Sequence, residues 1–308
     1  MFATLLGPLP PDIGRDAGDP AGDPTDGPDD PDAPILAAIQ AQEAAGLDLV
    51  GDGFAAAGPT DDPDHVAARW RRAAEMTTRT VKATIVGPWS AGAAADGGDD
   101  PVAHLRGIVE ALANAGCSLV EVDEPAATSI ADDAAERTRF GELHRALTDG
   151  IAGRIHLSLA LTGGNVEALG ARTLFDLPYA SYAFDLIAGP DNWRLVAQAP
   201  GDRGIICGAL DPSAAADDRP EVLVWAAHYA ASTGGRGLVR VGIANASSLA
   251  ALSPERARRK LVALGEAARL AAVGSSDELA AALDPRAVDI RSAAVGRYTP
   301  GNRRPGGE

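Results

Sequence analysis

Five carboxylates fall at or just past the ends of apolar runs: Asp52, Asp123, Glu124, Asp185 and Asp211. If those runs are parallel strands, the acids gather at one rim. Converging carboxylates suit a positively charged ligand group, such as an amino-acid ammonium, or a general base whose pKa is raised by its surroundings. Each acid alone is also a favoured N-cap for a following helix. That plainer role weighs evenly for Asp52 and Asp211. It weighs less for Asp123-Glu124, where two acids adjoin and Pro125 shapes the turn. Trp89 follows Gly87-Pro88 at the end of another run, where an aromatic ring can wall a pocket or simply pack at its rim. The substrate-binding candidates are therefore Asp123, Glu124, Asp52, Trp89 and Asp211. No residue is assigned a catalytic role.

His156 is the one histidine in a strand-like run; His65, His104, His144 and His228 fall in helical patterns, away from the rim. With Asp185 it makes a weak pair of metal candidates, and a hydrogen-bonded core role is commoner for a lone strand histidine. There is no H-E-x-x-H and no cysteine pair at metal spacing. The two cysteines, Cys117 and Cys207, sit beside apolar runs and read as buried free thiols in a reducing compartment. The only lysines are Lys82 and Lys260. Lys82 is expected just ahead of a strand, at the face opposite the rim. Gly163-Gly164 and the segment Ser232 to Gly237 read as plain connections rather than anion sites.

These residues need elements to position them. Apolar runs at 2–6, 47–51, 83–87, 118–122, 154–159, 179–186, 204–210 and 237–243 read as strands, mostly continuous as befits parallel strands buried on both faces. Helical patterns alternate with them at 34–45, 64–80, 101–115, 132–149, 165–174, 191–198, 219–232 and 254–272. Gly46, Gly116 and Gly150 stand as stops. Eight such alternations favour a closed (β/α)8 TIM barrel of the α/β class over a doubly wound sheet. Neither G-x-G-x-x-G after the first strand nor a P-loop occurs, which lowers the open-sheet alternative. The expected organisation is one barrel over 1–272, with an insertion at 10–34 after the first strand and a helix at 277–283 in a flexible tail over 273–308. The insertion is built from Asp, Gly, Pro and Ala, and such composition predicts disorder.

The 308 residues carry a net charge of −16 and are 46% hydrophobic. Eight aspartates against one arginine between Asp12 and Asp32 supply much of the acidity. A field of this sign repels phosphate backbones, so nucleic acid is an unfavoured partner and a small molecule the expected one. No apolar stretch of membrane-spanning length and no signal-peptide pattern is present, so a soluble, cytoplasmic protein with no membrane partner is expected.

Taken in order, several segments resemble the catalytic barrel of cobalamin-independent methionine synthase and its superfamily, which includes uroporphyrinogen decarboxylase. Ala115-Gly116-Cys117-Ser118-Leu119-Val120-Glu121-Val122-Asp123-Glu124-Pro125-Ala126 is similar to that family's fourth strand, aG-x-x-hhQhDEPA. Gln42 to Asp48 running to Asp52-Gly53, Lys82 to Pro88, Gly208 to Asp211, and the last helix with Glu266-Ala267-Ala268-Arg269 also match, spanning residues 2 to 270. The resemblance implies a methyltransferase of methionine biosynthesis, moving a methyl group from a folate to a thiol such as homocysteine, with zinc activating the sulfur. It implies that Asp123 holds the substrate amino group. The family's zinc ligands, a His-x-Cys, a Glu and a Cys, fall here on His156, Ser158, Asp185 and Ala244 or Asn245, so the thiolates are replaced. Phe54 stands where the family has an acid. Zinc and a methyl-folate are thus implied by resemblance alone, and no cofactor is expected from the residues. Two alternatives remain: a non-catalytic barrel that binds an amino acid or a pterin, and a zinc-free, carboxylate-based enzyme of the uroporphyrinogen decarboxylase-like type.

Overall fold

The computed structural model describes residues 1–14, 31–93, 101–213, 215 and 218–273. Most of the expected insertion and the whole expected tail helix lie outside the described residues. The edges of the insertion are placed: Ile13 is buried and its carbonyl accepts from Arg258, and a helix begins at Ala33.

Eight parallel strands run in the order β1-β8-β7-β6-β5-β4-β3-β2. They are β1 (Phe2–Ala3), β2 (Leu49–Gly51), β3 (Thr80–Val86), β4 (Leu119–Asp123), β5 (His156–Leu161), β6 (Ser181–Asp185), β7 (Gly204–Leu210) and β8 (Val241–Asn245). The ring closes through a parallel bridge between Thr4 and Leu49 and a 3.2 Å bond from Asp48 N–H to the Ala3 carbonyl. Asp48 also accepts from Ala3 N–H at 3.1 Å. The fold is a (β/α)8 barrel, as the alternation predicts.

The helices are α1 (Ala33–Ala44), α2 (Pro63–Glu75), α3 (Pro88–Ala93), α4 (Pro101–Asn114), α5 (Ala134–Thr148), α6 (Ala171–Phe175), α7 (Asn192–Gln198), α8 (Pro220–Ser232) and α9 (Pro254–Val273). Their ends follow local chemistry. Asp62 accepts from Asp64 N–H at 2.8 Å and Asp133 from Ala135 N–H at 2.7 Å, each capping the helix that follows. Gly46, Gly116 and Gly150 stop α1, α4 and α5 with φ of 83°, 96° and 70°, a conformation that side chains disfavour. The short α3 has no counterpart among the expected helices. No described helix is long and apolar enough to cross a membrane.

The core has two layers. The larger lies between strands and helices. The inner one fills the barrel with Leu6, Ala160, Ala183, Ile206 and Ala244, packed against Phe2. Strand alternation sets this division: even-numbered residues of β1, β5, β7 and β8 and odd-numbered residues of β6 point inward, and many of them are Ala or Gly. Lys82 belongs here too. It lies within β3 rather than ahead of it, because β3 starts three residues earlier than the sequence suggests. Its ammonium is buried inside the barrel, donating to Glu121 at 2.7 Å and to the Leu5 carbonyl at 2.5 Å.

Candidate functional site

The carboxyl ends of the strands bring Asp123, Thr162, Asp185 and Asn245 to one mouth. Asp123 is the last residue of β4, on the inward-facing series Leu119, Glu121, Asp123. Its carboxylate accepts from the Thr162 hydroxyl at 3.0 Å. Burial, reinforced by the negative charge of Glu121, pushes its pKa up to about 7. It is thus poised to change charge near neutrality.

The neighbouring acids are committed elsewhere. Glu124 is fully buried and accepts from Trp89 N–H and Ser90 N–H at 2.8 Å each and from the Ser90 hydroxyl at 2.6 Å. It anchors the start of α3, and Gly87 is what lets it approach: a Cβ there would lie 2.2 Å from the carboxyl group. Behind it, His144 of α5 places Nε2 3.1 Å from the carboxylate, off the line that a hydrogen bond needs, and shares a 2.7 Å bond through Nδ1 with the Tyr179 hydroxyl. Burial holds the Tyr179 phenol neutral. This buried Glu–His–Tyr cluster was not foreseen, since His144 reads as an outer-helix residue. The signal that could have found it is the apolar face of α5, where His144 lies one turn after Phe140.

Asp52 pairs with Arg69 of α2 at 2.8 Å and accepts from Phe54 N–H. Arg69 also lies over the Phe54 ring. Asp211 accepts from Ser213 N–H at 2.7 Å in a local turn and caps no helix, since α8 starts at Pro220 with Arg219 at its N-cap. Trp89 sits on α3 with its ring 6.2 Å from Phe140, part of the wall between α3 and α5.

The residues that the resemblance offers to zinc do not converge. His156 opens β5 and lies six residues before Thr162, about 20 Å down the barrel at its amino-terminal end. It bonds to the Ser181 hydroxyl at 2.8 Å, and burial lowers its pKa. The sequence reading ends strand 5 at residue 159; the strand continues to Leu161, so the mouth residue is Thr162. Asp185 is at the mouth, yet it accepts from the N–H groups of Ile187, Ala188 and Gly163 at 2.9, 2.9 and 3.2 Å, fastening two loops. Asn245 clips β8 to β1 like a rung of the sheet, accepting from Leu6 N–H at 3.0 Å and donating to its carbonyl at 2.6 Å. Cys117 and Cys207 are buried free thiols. Burial raises their pKa to about 11 and about 12, so neither is a ready thiolate. Among the described residues no three of His, Cys, Asp and Glu are grouped as a metal site requires.

No protein-family model matches the chain, and no curated protein matches it in sequence. Solved structures share its fold. A B12-independent methionine synthase from a Shewanella species, in complex with selenomethionine, aligns with TM-score 0.64 at 14% identity, over 87% of this chain and 96% of that one. A putative vitamin-B12 independent methionine synthase from Listeria monocytogenes aligns with TM-score 0.61 at 16% identity, over 76% and 85%. A methyltransferase from Methanosarcina mazei aligns with TM-score 0.55 at 12% identity, over 86% and 93%. At these identities the likeness is one of fold.

Proposed function

We propose that the chain is a methionine synthase-like barrel of the methyltransferase superfamily whose carboxyl mouth receives the positively charged group of an amino-acid-like substrate at Asp123. One observation carries this reading. Of the five rim acids, Asp123 alone accepts from no N–H group among the described residues and is held by the Thr162 hydroxyl, while Glu124, Asp185 and Asp211 accept from backbone N–H groups and Asp52 from Phe54 N–H and Arg69. An ionised Asp123 offers an ammonium both charge and acceptor sites. The ordered motifs and the barrels of similar fold support a thiol such as homocysteine as the acceptor of the methyl group. Zinc does not fit the residues present, so no step is assigned to it.

A second reading has its own support. A carboxyl that titrates near pH 7 is well matched to general acid–base work. That favours the zinc-free, carboxylate-based type of enzyme, whereas binding without turnover would leave an amino-acid or pterin-binding barrel.

Calorimetric titration with homocysteine, methionine, folates and porphyrinogens separates these readings. An amino-acid ligand should bind more tightly as pH rises through about 7, because ionised Asp123 is the form that binds a cation. Affinity should fall roughly tenfold per pH unit below that point. Asp123→Asn should weaken binding and flatten the profile. Unchanged affinity in this variant would remove Asp123 from the site.

A further inference from the structure

The opposite end of the barrel holds a cavity of about 510 Å³, within the range of small-molecule sites. It forms because the inward positions Ser158, Ser181 and Gly204 near the amino-terminal end are small, and Ala180, just ahead of β6, lines it too. Phe2, Leu49, Leu119 and Ile206 supply the apolar part of its walls. Val239, 78% exposed on the strand-8 approach, extends the apolar surface outward at the lip.

Beside Thr80 and the hydrogen-bonded pair His156–Ser181, two further polar groups are buried in the lining. Glu121, 1% exposed, lines the cavity, whereas its partner Lys82 does not, so the cavity meets the acid of the pair. Ser158, also 1% exposed, buries its hydroxyl without a hydrogen-bond partner. Native folds rarely leave such a group unsatisfied, and a bound donor would resolve it. At the rim, Asp48, which Arg79 approaches to 3.9 Å, and Asp202 stand with Arg240, and burial keeps His156 toward its neutral form. The opening therefore carries no excess of positive charge to repel a cation.

The geometry points to a second binding site at the amino-terminal mouth, taking a small amphiphile with an apolar body and a primary ammonium head directed at Glu121 and Ser158. An ammonium carries three donors and no acceptor, which matches a carboxylate and a hydroxyl with free lone pairs. The walls would cover a short alkyl or phenyl body. This site is separate from the carboxyl mouth and does not rest on the function proposed there.

The test uses the full chain and three probes of one size: 2-phenylethylamine, 2-phenylethanol and 3-phenylpropionate. Calorimetry should show the amine binding one-to-one, the alcohol more weakly and the carboxylate not at all. Ser158→Ala should weaken the amine roughly fivefold, the effect of one lost hydrogen bond. Leu119→Trp, which fills the mouth from a partly exposed position, should abolish binding. If that variant does not unfold cooperatively, Ser158→Ala decides. Asp123→Asn should leave amine affinity within about twofold. Equal binding of amine and carboxylate, no amine binding at millimolar concentration, or full affinity in Ser158→Ala would overturn the site. Loss of amine binding in Asp123→Asn alone would move the ligand to the other mouth.

Discussion

At the scale of single residues, Asp123 stands out because it is buried without the N–H donors that hold its neighbours. Burial without compensation raises the pKa, and the same physics destabilises the fold whenever the group is ionised. With a folded value of about 7 against an ordinary value near 3.8, the folded state binds the proton more tightly than the unfolded chain. Its contribution to stability is therefore complete below about pH 4 and is lost as pH rises through 7. Asp123→Asn removes the penalty. The variant should be more stable than the parent by about 1–3 kcal/mol at pH 8, the shift being discounted for the partial exposure of the carboxyl group. The two should converge near pH 4. Chemical denaturation at the two pH values checks this, and a difference that does not change with pH would mean that Asp123 is ionised at little cost.

At the scale of elements, the neighbouring strands β3 and β4 turn Lys82 and Glu121 side by side into the barrel interior, a pair 3% and 2% exposed at its side chains. Removing one partner leaves an unmatched charge in a dry interior, which costs about 3–5 kcal/mol, whereas replacing both with apolar residues of similar volume costs far less. Lys82→Met alone should therefore lower stability by about that amount, and Lys82→Met with Glu121→Leu should recover most of it. A double variant as unstable as the single one would show that the bond from Lys82 to the Leu5 carbonyl matters more than the ion pair. This pair also marks the limit of what the sequence discloses. Continuous apolar runs announce parallel strands, and β7 matches its expected span of 204–210. The ends of strands carry no such signal. β3 begins early and β5 runs on, each by two or three residues. A strand rises about 3.3 Å per residue, so a slip of that size moves a side chain by a whole layer. That is why Lys82 and His156 are misplaced by sequence reasoning while Asp123, held at its end by Pro125, is not.

At the scale of the whole molecule, alternation made the barrel legible, and the carboxyl mouth followed from the topology. The amino-terminal cavity did not, because its lining is gathered from one to three residues at or near each of the eight strands, with no spacing that links them. The metal question also belongs to this scale, since a zinc site needs donors from several strands to meet at one point. Every histidine and cysteine of the chain lies among the described residues, so the softest donors can be followed individually. His156 is at the amino-terminal end, and His144 is enclosed by Glu124, Tyr179 and Phe140. His65 and His228 lie on α2 and α8, and His104 on α4 bonds to the Asp61 carbonyl. Both thiols are buried and held protonated. A tetrahedral zinc shell with thiolate and imidazole ligands cannot be assembled from these positions at the carboxyl mouth without moving strands. Protein purified without added metal should therefore contain well under one zinc per chain by elemental analysis, and His156→Ala should not change that content. Added zinc should also leave the melting temperature unchanged, since a ligand bound to the folded state would raise it. Stoichiometric zinc that disappears in His156→Ala would overturn the prediction and restore a metal-activated thiol as the nucleophile in this barrel.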